Sequence, residues 1–298
     1  MKHKLKPVSE QSIVITGASS GIGLATALAA SALGARLTLV ARSENALIAI
    51  ADEIKAAGGQ AAWEVADVAD RAALQRAADR AIDRYGGIDT WITNAGVAIY
   101  GRIEEVSDED NRRLFETNFW GVVYGSLVAM PYLRQRGGAL INIGSELSEA
   151  VVPLQGMYST SKHAVKGFTD ALRVEVEMLD KAPVSITLIQ PTAVNTPYTE
   201  HARNYMDREP KLPVTPIDPA QVAQAILEAA SEGGRDIKVG ALSKLNTALS
   251  NLMPSLADRM AALQADRQQQ ERPPENPEGA LYQPGESGRV HGNPPVTH

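Results

Sequence analysis

The feature that most constrains the fold is an alternation, over the first 240 residues, of short apolar runs with segments of helical periodicity. Runs that are apolar on both faces are typical of strands in a parallel sheet covered by helices on both sides. With right-handed crossovers, the pattern predicts an α/β, doubly wound (Rossmann) parallel sheet in a single domain over residues 8–240. The strand-like runs are Ser12–Thr16, Arg36–Ala41, Ala61–Ala66, Thr90–Thr93, Ala139–Gly144, Val184–Gln190 and Asp236–Val239. The helical segments are 21–34, 44–57, 70–85, 107–134, 156–180 and 219–231.

Residues 241–298 form a C-terminal extension of different character. Apolar side chains recur at helical spacing, interrupted by Pro254, and a polar stretch from Gln264 to His298 carries six of the 17 prolines. The repeating apolar residues are Leu245, Leu249, Leu252, Leu256, Met260 and Leu263. We expect an amphipathic helix packed on the body, followed by a mostly irregular Pro-rich tail. The alternative is a helix that docks on a second subunit or on a membrane surface.

Charge and composition exclude several classes of function. The chain has 298 residues and a net charge of −6, without a Lys/Arg block, which argues against a nucleic-acid partner. It has no cysteine, so disulfides, thiolate catalysis and cysteine-based zinc sites are excluded. The basic N-terminus runs into polar residues, and the longest uncharged apolar stretch, 21–35, is too short to span a bilayer. A membrane partner is therefore not expected, and we predict a cytoplasmic location.

The first strand leads directly into a glycine-rich turn that opens an Ala-rich helix. Its sequence from Thr16 to Gly23 is TGASSGIG. Glycines allow a tight turn and close approach of a pyrophosphate, and the helix N-terminus supplies N–H donors and partial positive charge. The turn predicts a dinucleotide site whose contacts are Gly17, Ser19, Ser20, Gly21, Ile22 and Gly23.

The end of the second strand favours NADP(H) over NAD(H). An NAD-type site usually presents a carboxylate here to the ribose 2′-hydroxyl, whereas this chain has Ala41-Arg42-Ser43. Arg42 can pair with a 2′-phosphate, although a surface arginine that starts the next helix is the plainer alternative. Asp67 and Val68, after the third strand, are placed to flank the adenine, or Asp67 caps the next helix.

Tyr158 and Lys162 are the strongest candidates for catalysis. Their spacing of four puts both side chains on one helix face, one turn apart. An ammonium held near a phenol favours the phenolate, so we expect the Tyr158 pKa to fall from about 10 toward working pH. The pair is then a proton donor and acceptor for alcohol–carbonyl chemistry.

Taken together, these motifs resemble those of the short-chain dehydrogenase/reductase superfamily over roughly residues 10–240. The 16–23 turn is similar to its Thr-Gly-x3-Gly-x-Gly motif, and Thr93-Asn94-Ala95-Gly96 to its Asn-Asn-Ala-Gly motif. Tyr158 and Lys162 fit its Tyr-x3-Lys pair. Ser145, thirteen residues before Tyr158, and Asn118, forty before it, stand at its active-site serine and asparagine positions. The resemblance also assigns Asn94, Ala95, Gly96, Pro191, Val194 and Thr196, together with Tyr158 and Lys162, to the cofactor site.

The resemblance implies reversible hydride transfer between a nicotinamide and a small-molecule alcohol or carbonyl substrate. Tyr158 is then the general acid/base, Ser145 holds the carbonyl oxygen, Lys162 lowers the tyrosine pKa and bonds the ribose, and Asn118 orients a water near Lys162. No metal is required. Two alternatives remain: a non-redox epimerase or dehydratase on the same scaffold, and an NADP-sensing binding protein. In members of this family, helices like those around 111–133 and 157–179 pair with their counterparts in another subunit. The resemblance therefore implies a homodimer or homotetramer.

One family turn is altered, because Pro191 is followed by threonine instead of glycine. The segment Pro197–Asp218 that follows is long enough to act as a lid over the site. We expect a mixed apolar substrate pocket there, suited to a moderately hydrophobic alcohol or ketone. Its expected lining is Tyr198, His201, Tyr205 and Met206 with Val97, Leu147, Val152 and Leu154.

Overall fold

The chain folds around one parallel sheet flanked by helices on both faces. The structure, a computed structural model, describes residues 5–285 and 287–293. Over those ranges, nine strands and nine α-helices are numbered in chain order. The strands are β1 Ser12–Thr16, β2 Arg36–Ala41, β3 Gln60–Val65, β4 Thr90–Thr93, β5 Ile99–Tyr100, β6 Gly138–Ile143, β7 Val184–Pro191, β8 Arg203–Asn204 and β9 Asp236–Val239. The helices are α1 Gly21–Ala32, α2 Glu44–Ala56, α3 Arg71–Tyr85, α4 Asp108–Phe115, α5 Gly121–Arg136, α6 Gly156–Arg173, α7 Pro219–Glu232, α8 Ala241–Leu252 and α9 Pro254–Ala262.

Seven of these strands form the main sheet, in the order β3-β2-β1-β4-β6-β7-β9. Every neighbouring pair is parallel. The fold class predicted from the alternating pattern is confirmed, and all seven predicted strands start within one residue of their expected positions. The chain order reverses between β1 and β4, and ligands of open α/β sheets bind in the crevice at such a point.

The sheet is apolar on both faces because both faces are covered. All residues of β1, β6 and β7 are buried. One cluster of buried side chains packs α1, α2 and α7 on one face, and a second packs α3, α5 and α6 on the other. Helix starts follow local capping chemistry: the side chain of Asp70 accepts from Ala72 N, and that of Asp218 accepts from Ala220 N. Asp70, and not Asp67, therefore caps α3.

Two long helical segments contain a wider turn. A π-helical turn, Glu116–Trp120, joins α4 to α5, and another, Val174–Leu179, extends α6. Both fall inside segments that periodicity predicted as single helices. Single π turns of this kind are often associated with functional sites, and Asn118 lies in the first of them.

The C-terminal helices differ from the expected packing. α8 buries its polar residues Ser243 and Thr247, and α9 buries none of its side chains. The prediction that an apolar helix face packs on the body is therefore wrong. The apolar side chains instead form an exposed strip, here called the apolar ridge, made of Leu245, Leu252, Met253, Leu256, Met260 and Leu263. In the part of the chain that the structure describes, no helix is both long and apolar enough to cross a membrane.

Candidate active site

The glycine-rich turn between β1 and α1 has a backbone that only glycine accommodates easily. Gly17 and Gly21 have positive φ values of 66° and 53°. A Cβ on Gly23 would lie 2.1 Å from the carbonyl oxygen of Gly17, so the turn could not close around a larger residue. The first turn of α1 is thus drawn against the end of β1.

Asn94 fixes this turn to the neighbouring strand. Its side-chain amide donates to the carbonyl oxygens of Thr16 (3.0 Å) and Gly17 (3.2 Å). Its backbone N–H donates to the Thr16 hydroxyl at 2.9 Å. Asn94 therefore braces the ends of β1 and β4 at the point where the strand order reverses.

A cavity of about 200 Å³ lies beside the turn, at the carboxyl ends of β1, β2, β3 and β4. Of the predicted cofactor residues, it is lined by Gly17, Ser19, Ser20, Gly21, Ile22, Arg42, Asp67, Val68, Asn94, Ala95, Gly96 and Thr196. Gly23 lies beneath the turn, and Pro191 and Val194 line a second cavity described below. The glycine-rich turn lines this first cavity, which is called here the coenzyme cavity.

Arg42 and Asp67 lie at one end of the coenzyme cavity. The guanidinium of Arg42 donates to the carbonyl oxygens of Ala280 (2.6 Å) and Leu281 (3.2 Å). Burial lowers the Arg42 pKa, while the nearby charge of Asp67 opposes that shift. One carboxylate oxygen of Asp67 accepts from Ala69 N at 3.0 Å, and the other pairs with Arg113. Arg42 is thus a cation held in the cavity wall and not a surface residue of α2.

Residues 276–285 and 287–293, together called here the C-terminal strap, lie along the coenzyme cavity, a feature that sequence reasoning missed. Leu281 is fully buried among Val97, Ile99 and Leu114. Farther along, Gly288 N donates to Ser19 O at 2.8 Å, and Gly21 N donates to Arg289 O at 3.0 Å. The expected tail is irregular in backbone, but over its described residues it is packed as a wall of the cavity. The only signal in the sequence is the short apolar run Ala280-Leu281-Tyr282 within a polar stretch.

Tyr158 and Lys162 lie on α6 and face the other side of the crevice. Ser145 and Tyr198 line the same cavity wall as Tyr158, and the centres of the Tyr158 and Tyr198 rings are 5.5 Å apart. The Ser145 hydroxyl accepts from Leu147 N at 3.1 Å, which orients its own proton away from that N–H. Lys162 Nζ donates to the carbonyl oxygen of Ile143 at 2.9 Å and lies 5.7 Å from the centre of the Tyr158 ring. The structure therefore brings the three residues Ser145, Tyr158 and Lys162 together.

The ionisation of this pair differs from the expectation. Burial raises the pKa of Tyr158 to about 12, although the hydrogen bonds from Tyr198 and Ser145 act in the opposite direction. Burial lowers the pKa of Lys162 to about 8. The predicted fall of the tyrosine pKa is wrong for the protein by itself, because the amine bonds a backbone carbonyl and both groups are removed from water.

Asn118 is fully buried in the π turn, and its side chain is committed to the backbone. Its Oδ1 accepts from Val97 N (2.8 Å), and its Nδ2 donates to Val97 O (2.9 Å) and to the Ser161 hydroxyl (3.2 Å). Every polar atom of the amide is thereby used in holding residue 97 against α6. That geometry gives the side chain a positioning role, and a water held by Asn118 stays a prediction.

A second cavity, of about 220 Å³, opens on the other side of Tyr158 and is called here the substrate cavity. Ser145, Tyr158 and Lys162 line its inner end, together with Pro191 and Val194. The two cavities share Ile22, Asn94, Gly96, Thr196 and Tyr198 in their walls. They therefore meet beside the Ser145–Tyr158–Lys162 group.

The 197–218 segment contributes less to the substrate cavity than expected. Of the eight side chains predicted to line it, Leu147, Val152 and Tyr198 do so. Val97 and His201 line the coenzyme cavity instead, and Leu154, Tyr205 and Met206 line neither. The reason is that β8 pairs with β5 and carries the Tyr205 hydroxyl to Asp110 Oδ2, 2.8 Å away. The missing lining comes from α8, α9 and the segment 150–152.

The altered turn after β7 has a structural explanation. Thr192 donates to Glu146 Oε1 at 3.1 Å, and Asn246 of α8 donates to Glu146 Oε2 at 3.0 Å. Burial raises the pKa of Glu146, and these two hydrogen bonds oppose the rise. Glu149, one turn on, accepts from Asn251 of the same helix at 3.0 Å. These carboxylates draw the polar face of α8 inward, which leaves Leu245 and Leu252 exposed.

Comparison with known proteins agrees with this architecture. The family model for short chain dehydrogenases matches residues 11–207. The chain belongs to the short-chain dehydrogenase/reductase superfamily. It is 43% identical over 289 residues to an uncharacterized oxidoreductase, YxnA, of Bacillus subtilis, covering 95% of this chain and 81% of that protein. A putative oxidoreductase, SadH, of Mycobacterium tuberculosis is 31% identical, covering 84% of this chain and 93% of that protein.

Solved structures of the superfamily resemble the fold closely. A short-chain dehydrogenase/reductase from Burkholderia phymatum in complex with NAD has a TM-score of 0.76 at 27% identity, covering 86% of this chain and 96% of that one. An alcohol dehydrogenase from Thermococcus sibiricus complexed with 5-hydroxy-NADP has a TM-score of 0.67 at 26% identity, covering 77% and 94%. The present chain is an NAD(P)-dependent dehydrogenase/reductase acting on CH–OH groups, and it uses a nicotinamide coenzyme.

Proposed function

We propose that the protein interconverts a secondary alcohol and a ketone or aldehyde with NADP(H), using Tyr158 as general acid and base. The observation that carries this proposal is the meeting of the two cavities beside Tyr158, Ser145 and Lys162. A bound nicotinamide supplies or accepts a hydride at this junction. The protein must then bind the substrate oxygen, orient it and move one proton.

Tyr158 is placed to move that proton. In reduction, its phenol donates to the carbonyl oxygen as negative charge develops there, and in oxidation the phenolate takes the proton back. Ser145 donates a second hydrogen bond to the same oxygen, because the Ser145 hydroxyl already accepts from Leu147 N. Hydrogen-bond donors that are already oriented by the protein need not rearrange during the reaction, and this lowers the barrier to proton and hydride transfer.

Lys162 and Asn118 support the tyrosine in different ways. Lys162 lines the substrate cavity near its junction with the coenzyme cavity, and its proton is held loosely because burial lowers its pKa to about 8. We assign it to the nicotinamide ribose hydroxyls and to stabilising the Tyr158 phenolate. Asn118 acts through the backbone at residue 97, so we assign it a positioning role.

The preference for NADP(H) rests on Arg42. Its charge is held in the wall of the coenzyme cavity by Ala280 O and Leu281 O, in a region where no carboxylate follows β2. Two carbonyl acceptors leave the guanidinium its full charge and further N–H donors for a 2′-phosphate. Thr196 and Ile22, in the wall common to both cavities, are assigned to the pyrophosphate and nicotinamide ends.

We also propose a homodimer or homotetramer built on α5 and α6. The supporting observation is a set of exposed apolar side chains on these helices and their π turns. They are Trp120, Leu127, Val174, Met178 and Leu179. The cytoplasmic location remains a prediction from the sequence.

Turnover of reduced coenzyme tests the reaction. Absorbance of the reduced nicotinamide is followed with NADPH and NADH against a panel of ketones, aldehydes and secondary alcohols. Consumption of NADPH with a ketone is expected, and Tyr158→Phe, Ser145→Ala and Lys162→Ala each lower turnover by at least about tenfold. Tyr132→Phe is the matched control, since its hydroxyl bonds only to Gln75 among described residues and lies outside both cavities. Full activity of Tyr158→Phe would refute the assignment. Binding of NADP(H) without turnover would favour a non-redox enzyme or a sensor.

A further inference from the structure

The substrate cavity has its reactive polar groups at one end. Ser145 and Tyr158 lie at the junction with the coenzyme cavity, and the rest of the wall is largely apolar. Apolar side chains come from separate parts of the chain: Leu147 and Val152 after β6, Leu212 from the 197–218 segment, and Leu249 and Met260 from α8 and α9. A ligand that fills this space has one polar end and an apolar body.

Two other polar side chains of the inner wall, Glu146 and Gln155, are paired within the protein. Glu146 accepts from Thr192 and Asn246. Gln155 accepts from the Tyr198 hydroxyl and donates to Gln268, both at 2.7 Å. A substrate group that displaced these bonds would leave a buried carboxylate or amide unpaired, at a cost of about 1–3 kcal/mol for each group. The inner wall therefore selects against a second polar group on the substrate.

The outer end of the cavity leads onto the apolar ridge. Leu249 and Met260 line the cavity, and Met260 also belongs to the ridge. The ridge continues over Leu252 and Leu263, which are 81% and 72% exposed. When an apolar surface continues outward from a pocket, a substrate longer than the pocket can pack its outer part on that surface.

We infer that the substrate is an elongated apolar alcohol or ketone with a single oxygen at its reacting end. This rests on the proposed function and names the substrate class of the same site. The oxygen lies against Ser145 and Tyr158, and the chain runs outward between Leu249 and Met260 onto the ridge.

Chain length gives a quantitative expectation. Burying one methylene group is worth about 0.8 kcal/mol, which corresponds to roughly a fourfold gain in kcat/KM. The specificity constant therefore rises steeply with each added carbon while the chain fills the cavity, and more slowly once the chain lies on the partly exposed ridge.

The test is a homologous series of methyl ketones, from butan-2-one to dodecan-2-one, with NADPH. In Leu249→Asn and Met260→Gln, the ratio of kcat/KM for the longest ketones to kcat/KM for butan-2-one is expected to fall roughly tenfold or more. The control is Leu33→Asn, which changes an exposed leucine outside both the cavity wall and the apolar ridge. A ketone with a hydroxyl on the part of its chain that lies inside the cavity is expected to lose the gain from its chain.

A binding measurement separates the two proposals. Dodecan-2-one is expected to raise the Tm of the coenzyme-loaded protein, and Leu249→Asn to reduce that shift. Turnover of ketones without any dependence on chain length would overturn the inference and leave the hydride chemistry standing. Binding of the long ketone without turnover of any ketone would support the inference and count against the proposed function. A protein that neither binds nor prefers the long ketone contradicts the inference.

Discussion

Lys162 Nζ lies 2.9 Å from the carbonyl oxygen of Ile143, the last residue of β6, and this contact explains where the amine is held. Ile143 precedes Gly144 and Ser145, so the same strand end positions the amine and the serine hydroxyl. Lys162 is almost fully buried, and its pKa falls to about 8 because charge is unfavourable there. Its ionisation is therefore coupled to folding.

Stability should rise with pH because of Lys162. Between pH 8 and 10.5 the unfolded chain keeps this proton while the folded protein releases it, so the unfolded state binds more protons. Relative to Lys162→Met, the free energy of unfolding of the native sequence is expected to increase by about 2 kcal/mol between pH 7.5 and 10. Urea unfolding at a series of pH values measures this.

The control for that experiment is Lys55→Met, which alters an exposed lysine on α2. The free energy of unfolding of Lys55→Met should differ from that of the native sequence by the same amount over this pH range. The raised pKa of Tyr158 acts in the opposite sense, but only above pH 10, where the unfolded phenol loses its proton first. The account would be contradicted if the free energies of unfolding of the native sequence and of Lys162→Met differed by the same amount at every pH. In that case no titrating amine would be buried at residue 162.

Coenzyme preference should change with Arg42. Charge-assisted hydrogen bonds contribute about 1.5–3 kcal/mol, so Arg42→Ala is expected to weaken NADPH binding relative to NADH binding by roughly 10- to 100-fold. The ratio of the two Kd values is the measurement, because any loosening of the C-terminal strap affects both coenzymes alike. Arg112→Ala, at an exposed arginine of α4, serves as control. An unchanged ratio would remove the argument for NADP(H).

The C-terminal strap should slow the release of coenzyme. Leu281→Ala removes a fully buried side chain, and such changes cost about 2–5 kcal/mol of packing. Because the strap forms part of the wall of the coenzyme cavity, weaker packing of the strap is expected to let NADPH dissociate about tenfold faster or more. Stopped-flow fluorescence measures the dissociation rate. Leu263→Ala makes the same chemical change at an exposed site on α9 and should leave the rate unaltered. Equal rates for both variants would show that the strap does not retain the coenzyme.

Assembly is tested by light scattering at micromolar concentration. We expect a mass of two or four chains for the native sequence, and dissociation in Met178→Asp, which introduces a charge among exposed apolar residues of the extended α6. Leu33→Asp, at an exposed leucine after α1, is the control. A single species of 31.8 kDa in the native sequence would remove the proposal.

The strands and the glycine turn could be predicted from the sequence because their constraints are local. A strand covered on both faces, such as Val184–Pro191, is buried at every residue and therefore mostly apolar. Gly17 and Gly21 are required by the backbone angles of the turn. The convergence of Ser145, Tyr158 and Lys162 was foreseeable only from their register in a known family, since no local rule places a residue thirteen positions away.

Other features depend on contacts that leave little trace in the sequence. The C-terminal strap is held by the backbone carbonyls of Ala280, Leu281 and Arg289, and every residue has such a carbonyl. The direction in which α8 faces is set by Glu146 and Glu149, which lie about a hundred residues earlier. Amphipathic periodicity alone therefore predicted the wrong buried face.

Isotope transfer tests the central claim most directly. NADPH that carries deuterium at nicotinamide C4, on each face in turn, is incubated with the protein and a long-chain methyl ketone, and the alcohol is analysed by mass spectrometry. Direct hydride transfer beside Tyr158 predicts that deuterium from one face only appears on the carbinol carbon, and that Tyr158→Phe suppresses its formation. An alcohol without label from either face, or equal labelling by Tyr158→Phe, would contradict the account.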